Sequence, residues 1–309
     1  MREILFGLLV LLLIGVVFWV FSGGRVENFL DPMKPFFEGA LEPLPTPSGA
    51  VAPVTAATPR VPGRFTVASF NIHFGYKSDV IAPTLKANGM DTADVILLQE
   101  SNEKSAVTVA KALRLGFAYY PAAIHPHSKD LFGVAVLSRW PIVAHRKILL
   151  PDKSYIDGAR KVAMAAVINI DGVLIKVVNV HLQSGMLESG YKAQIKSLVE
   201  CVIEDDCHND RHAMPLPEAR ATIFGGDFNT WRRRLQDPLE KRMLKIGMKG
   251  VDGIERTFSK DMSKHPKTRY TFDYFYATPD IITGAGRVGA DRTGSDHWPI
   301  AAEFLLPPR

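Results

Sequence analysis

The residues of this chain best suited to chemistry are acids, amides and imidazoles that close or flank short apolar runs. Ser69-Phe70-Asn71 ends one run with an amide, and Leu97-Leu98-Gln99-Glu100 ends another with a carboxylate. Asn179-Val180-His181-Leu182 ends a third with an imidazole. Ile223-Phe224-Gly225-Gly226-Asp227-Phe228-Asn229 ends a fourth with a carboxylate and an amide two residues apart. Phe272-Asp273-Tyr274 adds a further carboxylate, and Ser295-Asp296-His297-Trp298-Pro299 sets a carboxylate beside an imidazole. One polar strand end is ordinary; a whole ordered series is not. Oxygen and imidazole donors without clustered cysteines suit a hard cation such as Mg²⁺ or Mn²⁺ and do not suit structural zinc.

These groups need a rigid frame, and the hydrophobic pattern supplies one. Alternation over residues 65–70 reads as a strand, and Val95–Leu98 reads as a short buried strand. Phe132–Leu137, Val162–Ile170 and Val173–Val180 read as further strands, the last two joined at the Asp171-Gly172 turn. Helical periodicity falls between them, near 79–88, 104–114, 188–204 and 235–247. Strands and helices interleave to the end without an internal repeat. The pattern predicts one domain of mixed α and β structure over 64–309, built on a large sheet system.

The 309 residues carry a formal net charge of +5. Residues 64–309 hold 33 Lys/Arg against 27 Asp/Glu, a mild excess that suits an anionic substrate and equally an ordinary solubilising surface. It is far from the stripe of a dedicated nucleic-acid binder. Trp231-Arg232-Arg233-Arg234 offers charge and stacking for a polyanion, or simply a basic helix start. Cys201 and Cys207 belong to no metal-ligand pattern; they form a disulfide in an exported domain or stand as two inert thiols.

Ahead of this domain, Ile4–Phe21 is an 18-residue charge-free run, about the minimum for a bilayer-spanning helix and longer than the usual apolar stretch of a signal peptide. It predicts a single-pass anchor in the lipid bilayer over 1–21 rather than a cleaved leader. The very short N-terminal tail favours translocation of the large domain to the extracytoplasmic side. Residues 22–63 carry prolines at 32, 35, 43, 45, 47, 53, 59 and 62 and read as an extended, disordered linker.

The motif series, in its order and spacing, resembles that of the endonuclease/exonuclease/phosphatase superfamily, which includes pancreatic-type deoxyribonucleases, exonuclease III-like nucleases, neutral sphingomyelinases and inositol polyphosphate 5-phosphatases. The resemblance spans roughly 64–307. It implies an α+β fold: a deoxyribonuclease-I-like, four-layer α/β/β/α sandwich of two packed mixed β-sheets flanked by helices, here preceded by one transmembrane helix. It also implies roles. Glu100 is the principal metal ligand, with Asn71 beside it and Asp296 binding directly or through water. Asp227 orients or deprotonates the attacking water, and Asn229 holds a phosphate oxygen or the nucleophile. His297 contacts the scissile phosphate, with Asp273 fixing its tautomer and raising its pKa. His181 donates to a phosphoryl oxygen or serves as the second acid–base group; which histidine is the acid stays open. Arg160, ahead of the strand Val162–Ile170, is the phosphate-contacting arginine by the same comparison, with Lys161 adjacent. His73 edges the site without an assigned role. His125, His127, His208, His212 and His265 read as solvated loop residues, and Asp291 as part of a turn.

The expectation is therefore a Mg²⁺- or Mn²⁺-dependent phosphodiester hydrolase with nucleic acid as the favoured substrate. The alternatives are a sphingomyelinase-like phospholipase, a phosphomonoesterase, or a catalytically silent binding module. The last sits poorly with the sequence, because the whole set Glu100, Asp227, Asn229, Asp273, Asp296 and His297 is present.

Overall fold

A computed structural model of the chain describes residues 37–39, 63–124, 131–152, 159–184, 187–207, 215–230, 233–263 and 268–306. The apolar run 4–21 lies outside them, as do Trp231, Arg232 and the five loop histidines. Among the described residues no helix is long and apolar enough to cross a membrane.

Two mixed sheets stack face to face. Strands are numbered along the chain. The first sheet runs β1 (Phe37–Gly39), β4 (Gly116–Ile124), β5 (Leu131–Ser138), β3 (Val95–Ser101), β2 (Arg64–Asn71), β14 (Ile300–Leu305) and β12 (Ile282–Thr283), with β13 (Arg287–Val288) also pairing with β14. The second runs β10 (Lys249–Gly250), β11 (Asp273–Ala277), β9 (Ala221–Asp227), β8 (Val173–His181), β7 (Val162–Ile170) and β6 (Ile142–Leu149). Helices α1 (Ser78–Ala87) and α2 (Glu103–Leu113) cover the outer face of the first sheet, and α3 (Glu188–Ile203) and α4 (Arg233–Lys245) cover that of the second.

Period-two alternation builds the layers. Phe65 and Val67 point between the sheets, where they join Val95, Leu97, Met164, Val177 and Ile223 in one continuous core. Their neighbours Ala68 and Phe70 point outward and pack with Ile81 and Leu85 of α1 and Val109 of α2. On the far side, Val178, Val180 and Phe224 meet Ile195 and Leu198 of α3 and Leu239 and Met243 of α4. Strands buried on both faces read as near-continuous apolar runs, which is why β3 and β7 look as they do in the sequence. Each fully buried large apolar side chain in these cores contributes about 1.5–3 kcal/mol. The expected four-layer α/β/β/α sandwich is the observed one.

Two strand directions decide where the site lies. β2 and β3 are parallel, as are β8 and β9, so Asn71, Glu100, His181 and Asp227 all arrive at strand C-terminal ends. β11 runs antiparallel to β9, and β14 antiparallel to β2, so Asp273 and the Asp296-His297 pair arrive at strand beginnings on the same edge. Asp273 thus opens its strand rather than closing it, and Asp296 and His297 precede theirs. One expectation is corrected: within the proline-rich segment, Phe37–Gly39 pairs with Phe117–Tyr119 of β4 and lengthens the first sheet at its edge. β4 and β6 carry too many polar or small residues for strict alternation to reveal them; their partners β5 and β7 hold them in place.

Candidate active site

Local backbone devices aim the side chains. A bulge between Gln99 and Ser101 places Glu100 at φ 51°, turning its carboxylate out of the strand alternation and toward the sheet edge. Gly226 has φ 134°, and a Cβ there would stand 2.1 Å from the Val180 carbonyl oxygen. Glycine at that position lets β9 lie close against β8 and brings Asp227 level with His181. Asn229 takes φ 51°, a left-handed conformation that asparagine tolerates, and folds back over Asp227.

Asp227 is the hub. Oδ2 accepts from Asn71 Nδ2 at 3.0 Å and from Asn229 Nδ2 at 3.1 Å, and Oδ1 accepts from the Asn229 backbone N–H at 2.8 Å. His181 Nε2 and His297 Nε2 each lie 3.7 Å from Oδ2. Burial pushes the carboxyl up to about 7; the charge on His297 and the hydrogen bonds from Asn229 and Asn71 hold it from going higher, while Asp273 pushes the same way as burial.

His297 is fixed at its other nitrogen. Nδ1 donates to Asp273 Oδ2 at 2.9 Å, and the backbone N–H donates to Ser295 Oγ, which itself donates to the Asn71 carbonyl at 2.6 Å. The ring rests on Phe258, which stacks on Phe272. Burial alone would make this imidazole less basic, but Asp273, Asp227 and Asp296 outweigh it and raise the pKa to about 10. His181 goes the other way. It is buried, and the charges of Lys161 and His297 add to burial in pushing its pKa well below 6.5. The two histidines thus differ in charge at neutral pH: His297 is imidazolium and His181 is neutral.

A second group sits opposite. His181 Nε2 is 3.6 Å from Glu100 Oε1, and Lys161 Nζ is 3.8 Å from the same oxygen. His73 Nδ1 meets Asp296 Oδ1 at 3.1 Å, and this bond leads the causes that raise the pKa of His73, with Glu100 also contributing. Asp296 is driven up by burial and pulled below the usual carboxylate range by His73 and His297. A motif-level reading passes over His73 because its partner is more than two hundred residues away. Arg292 escapes such a reading as well, because its partners are backbone carbonyls of loops rather than motif side chains. It is buried under the last motif, donates to the carbonyls of Ser259 and Asp296 at 2.8 Å and to those of Asp261 and Ser263, and stacks on Trp298. Arg160 donates to the Leu150 carbonyl at 3.3 Å, while it is the adjacent Lys161 that reaches Glu100. Asp291 forms the expected turn, its carboxylate accepting from Thr293 N–H and O–H.

The donor set fits a hard cation in two ways. Ligand atoms of Asp227, Asp273 and His297 lie within 4.8 Å of one another and could hold one. In the metal-free protein His297 Nδ1 and Asp273 Oδ2 are joined by a hydrogen bond in that group. Glu100 and Asp296 are more open, with side chains 15% and 21% exposed, and both act on His73, so a cation can take the place of that proton.

The family model described as "Endonuclease/Exonuclease/phosphatase family" matches residues 68–297. The chain belongs to the endonuclease/exonuclease/phosphatase family. Members are hydrolases of phosphoester bonds, generally dependent on a divalent metal, so a phosphate ester is the substrate class. The chain is 31% identical over 266 residues to the uncharacterised protein YbhP of Escherichia coli K12, covering 78% of this chain and 96% of YbhP. Among solved structures, a family protein from Bacteroides vulgatus superposes with a TM-score of 0.61 at 16% identity, covering 79% of this chain and 99% of that one. The mannosyl-6-phosphatase of Bacteroides thetaiotaomicron superposes with a TM-score of 0.58 at 16% identity, covering 78% and 100%. Likenesses of this degree show the shared sandwich.

Proposed function

We propose that this chain is a Mg²⁺- or Mn²⁺-dependent phosphodiester hydrolase, acting preferentially on nucleic acid, tethered to the bilayer through residues 4–21 with the catalytic residues on the extracytoplasmic side. The observation that carries the hydrolase reading is the Asp273–His297–Asp227 array. It holds a charged imidazole and a carboxyl titrating near neutrality side by side in a buried setting.

Glu100, Asn71 and Asp296 would hold the metal, which when bound polarises the phosphoryl oxygens and offsets developing charge. The protein's own groups do the rest. Asp227, with Asn71 and Asn229 fixing its oxygens, takes the proton of the attacking water. His297 presents N–H at Nε2 as a cationic donor to the pentacovalent oxygens, and Asp273 holds its tautomer and charge. His181, kept neutral, offers an uncharged donor on the Glu100 side.

The excess of Lys/Arg over 64–309 supports a polyanionic substrate. The Cys201–Cys207 disulfide supports export, since such bonds persist in oxidising compartments. The test is a panel of DNA, RNA, sphingomyelin, bis(p-nitrophenyl) phosphate and a phosphomonoester, each with Mg²⁺ or Mn²⁺ and with chelator. Metal-dependent cleavage of nucleic acid is expected. Preference for sphingomyelin or the monoester overturns the substrate class, and inactivity across the panel overturns the enzyme. Protection of the domain from external protease in intact cells overturns the topology.

A further inference from the structure

We propose that the groove between α3 and α4 is a tracking site for the phosphates of a nucleic-acid strand whose scissile bond lies at the active site. The inference rests on the nucleic-acid reading above and adds a contact surface to which that reading gives no role.

The groove is a cavity of about 550 Å³ on the outer face of the second sheet, and its charged lining is Glu188 and Lys192 of α3 and Asp237, Lys241, Arg242 and Lys245 of α4. Part of this charge is balanced internally. Lys192 Nζ meets Glu188 Oε1 at 2.7 Å, and Arg242 Nη2 lies 3.9 Å from Glu204 Oε1. Lys241 and Lys245 are exposed, and among the described residues neither has a hydrogen bond or an ion pair. Asp237 precedes Lys241 by the spacing of a helical ion pair, yet that pair is not made, while Lys241 and Lys245 repel each other across the same spacing. The helix dipole favours Lys245, in the last turn of α4, and offers nothing to Lys241 one turn earlier. An anion bridging the two ammoniums removes the repulsion.

The groove starts at the active site. β8 ends on His181 and β9 on Asp227, both on the site edge; α3 then begins at Glu188 and α4 at Arg233, so each helix leaves that edge and runs back to the far one, where β9 and β10 begin. Ile195 and Leu198 of α3 share one core with Leu239 and Met243 of α4, which sets the two helices side by side. The 13 residues of α4 span about 20 Å, about six nucleotide steps at about 3.4 Å each, and Lys241 and Lys245 stand about 6 Å apart, about two such steps. A strand fits inside the groove, whereas a flat bilayer meets only its rim. Among the described residues that line it there is no aromatic ring, so the grip is on phosphates and independent of base sequence.

The experiment uses the full-length protein in neutral detergent with chelator present, and follows by fluorescence anisotropy a labelled oligothymidylate of about 12 nucleotides, twice the length of the groove. In the double variant Lys241→Gln/Lys245→Gln, affinity is expected to fall on the order of 10-fold, and the slope of log affinity against log salt to shrink by about 1.4, about 0.7 for each lost phosphate contact. Arginine at both positions should restore both. Affinity for a labelled dinucleotide, too short to leave the active site, and Mn²⁺-dependent hydrolysis of bis(p-nitrophenyl) phosphate should stay within twofold of wild type. Oligonucleotide affinity within twofold of wild type in the glutamine variant overturns the proposal, as does an equal loss for the dinucleotide. Loss of binding to phosphatidylglycerol vesicles with oligonucleotide binding intact also overturns it and gives the groove to lipid headgroups. Lysine-dependent oligonucleotide binding without cleavage of nucleic acid sinks the proposed activity and leaves the groove assignment standing; cleavage of nucleic acid with no lysine dependence of binding does the reverse.

Discussion

Replacing Asp273 by asparagine tests the charge logic of the site with almost no change of shape. The amide oxygen introduced by Asp273→Asn can still accept from His297 Nδ1, so the ring keeps its place, but the negative charge is gone. In the wild type, burial lowers the basicity of His297 and Asp273 leads the opposing causes, lifting the pKa to about 10. At pH 8 about 99% of the imidazole is then charged. Without the aspartate charge the leading cause opposing burial is gone, and the pKa falls toward the ordinary imidazole value of about 6.5, at which only about 3% is charged at pH 8. The imidazolium population drops about 30-fold, and looser orientation adds to that. A loss of kcat on the order of 10²–10³ is expected, the range for removing one preorganised transition-state donor. The assay is Mn²⁺-dependent hydrolysis of bis(p-nitrophenyl) phosphate from pH 6 to 10, with near-ultraviolet circular dichroism as a control for folding. The alkaline limb of the wild-type profile near pH 10 should move toward pH 7 in the variant. A variant within threefold of wild type at pH 8, with its alkaline limb unmoved, refutes the reasoning.

Other outcomes follow from the same structure. The metal-free protein should lose stability as pH rises from 6.5 toward 10: the folded pKa of His297 lies above its unfolded value, so its contribution is full below 6.5 and vanishes through 10, and Asp273→Asn should flatten this slope in thermal melts. Gly226→Ala should cost about 3 kcal/mol or more in urea unfolding, since φ 134° strains any side chain and its Cβ would overlap the Val180 carbonyl. Asn179 joins Gln99 of the other sheet at 2.7 Å and donates to the carbonyls of Leu98 and Ala135; Asn179→Leu leaves these buried partners unsatisfied and should cost about 2–4 kcal/mol with a loss of kcat, and an unchanged urea midpoint would contradict this. Reduction of Cys201–Cys207, six residues apart, should lower stability by about 2 kcal/mol, read as a lower melting temperature in dithiothreitol.

Much of this protein is written locally. A strand buried on both faces must be apolar throughout, so β3, β7 and β8 can be read from residue type and their ends found within a few residues. The helices α1 to α4 follow from amphipathic spacing in the same way. Asn71, Glu100, His181, Asp227 and His297 stand out because polar groups interrupt those runs, and family membership rests on the same residues. Pairings across the chain lie beyond local pattern. Asn71 meets Asp227 over 156 residues, and Asp273 meets His297 over 24, because strand order and direction bring them to one edge. Side-chain direction is just as non-local. Arg160 and Lys161 are alike in type and adjacent, yet packing against Phe132 sends the lysine to Glu100, while the arginine donates to a backbone carbonyl. The different charge states of His181 and His297 come from burial and from the balance of charged neighbours, with Lys161 and His297 pushing His181 down and Asp273 and Asp227 holding His297 up. Residue type determined which groups this chain could use; the packed sheets decided which of them meet, because burial and electrostatics act through distance in space rather than along the sequence.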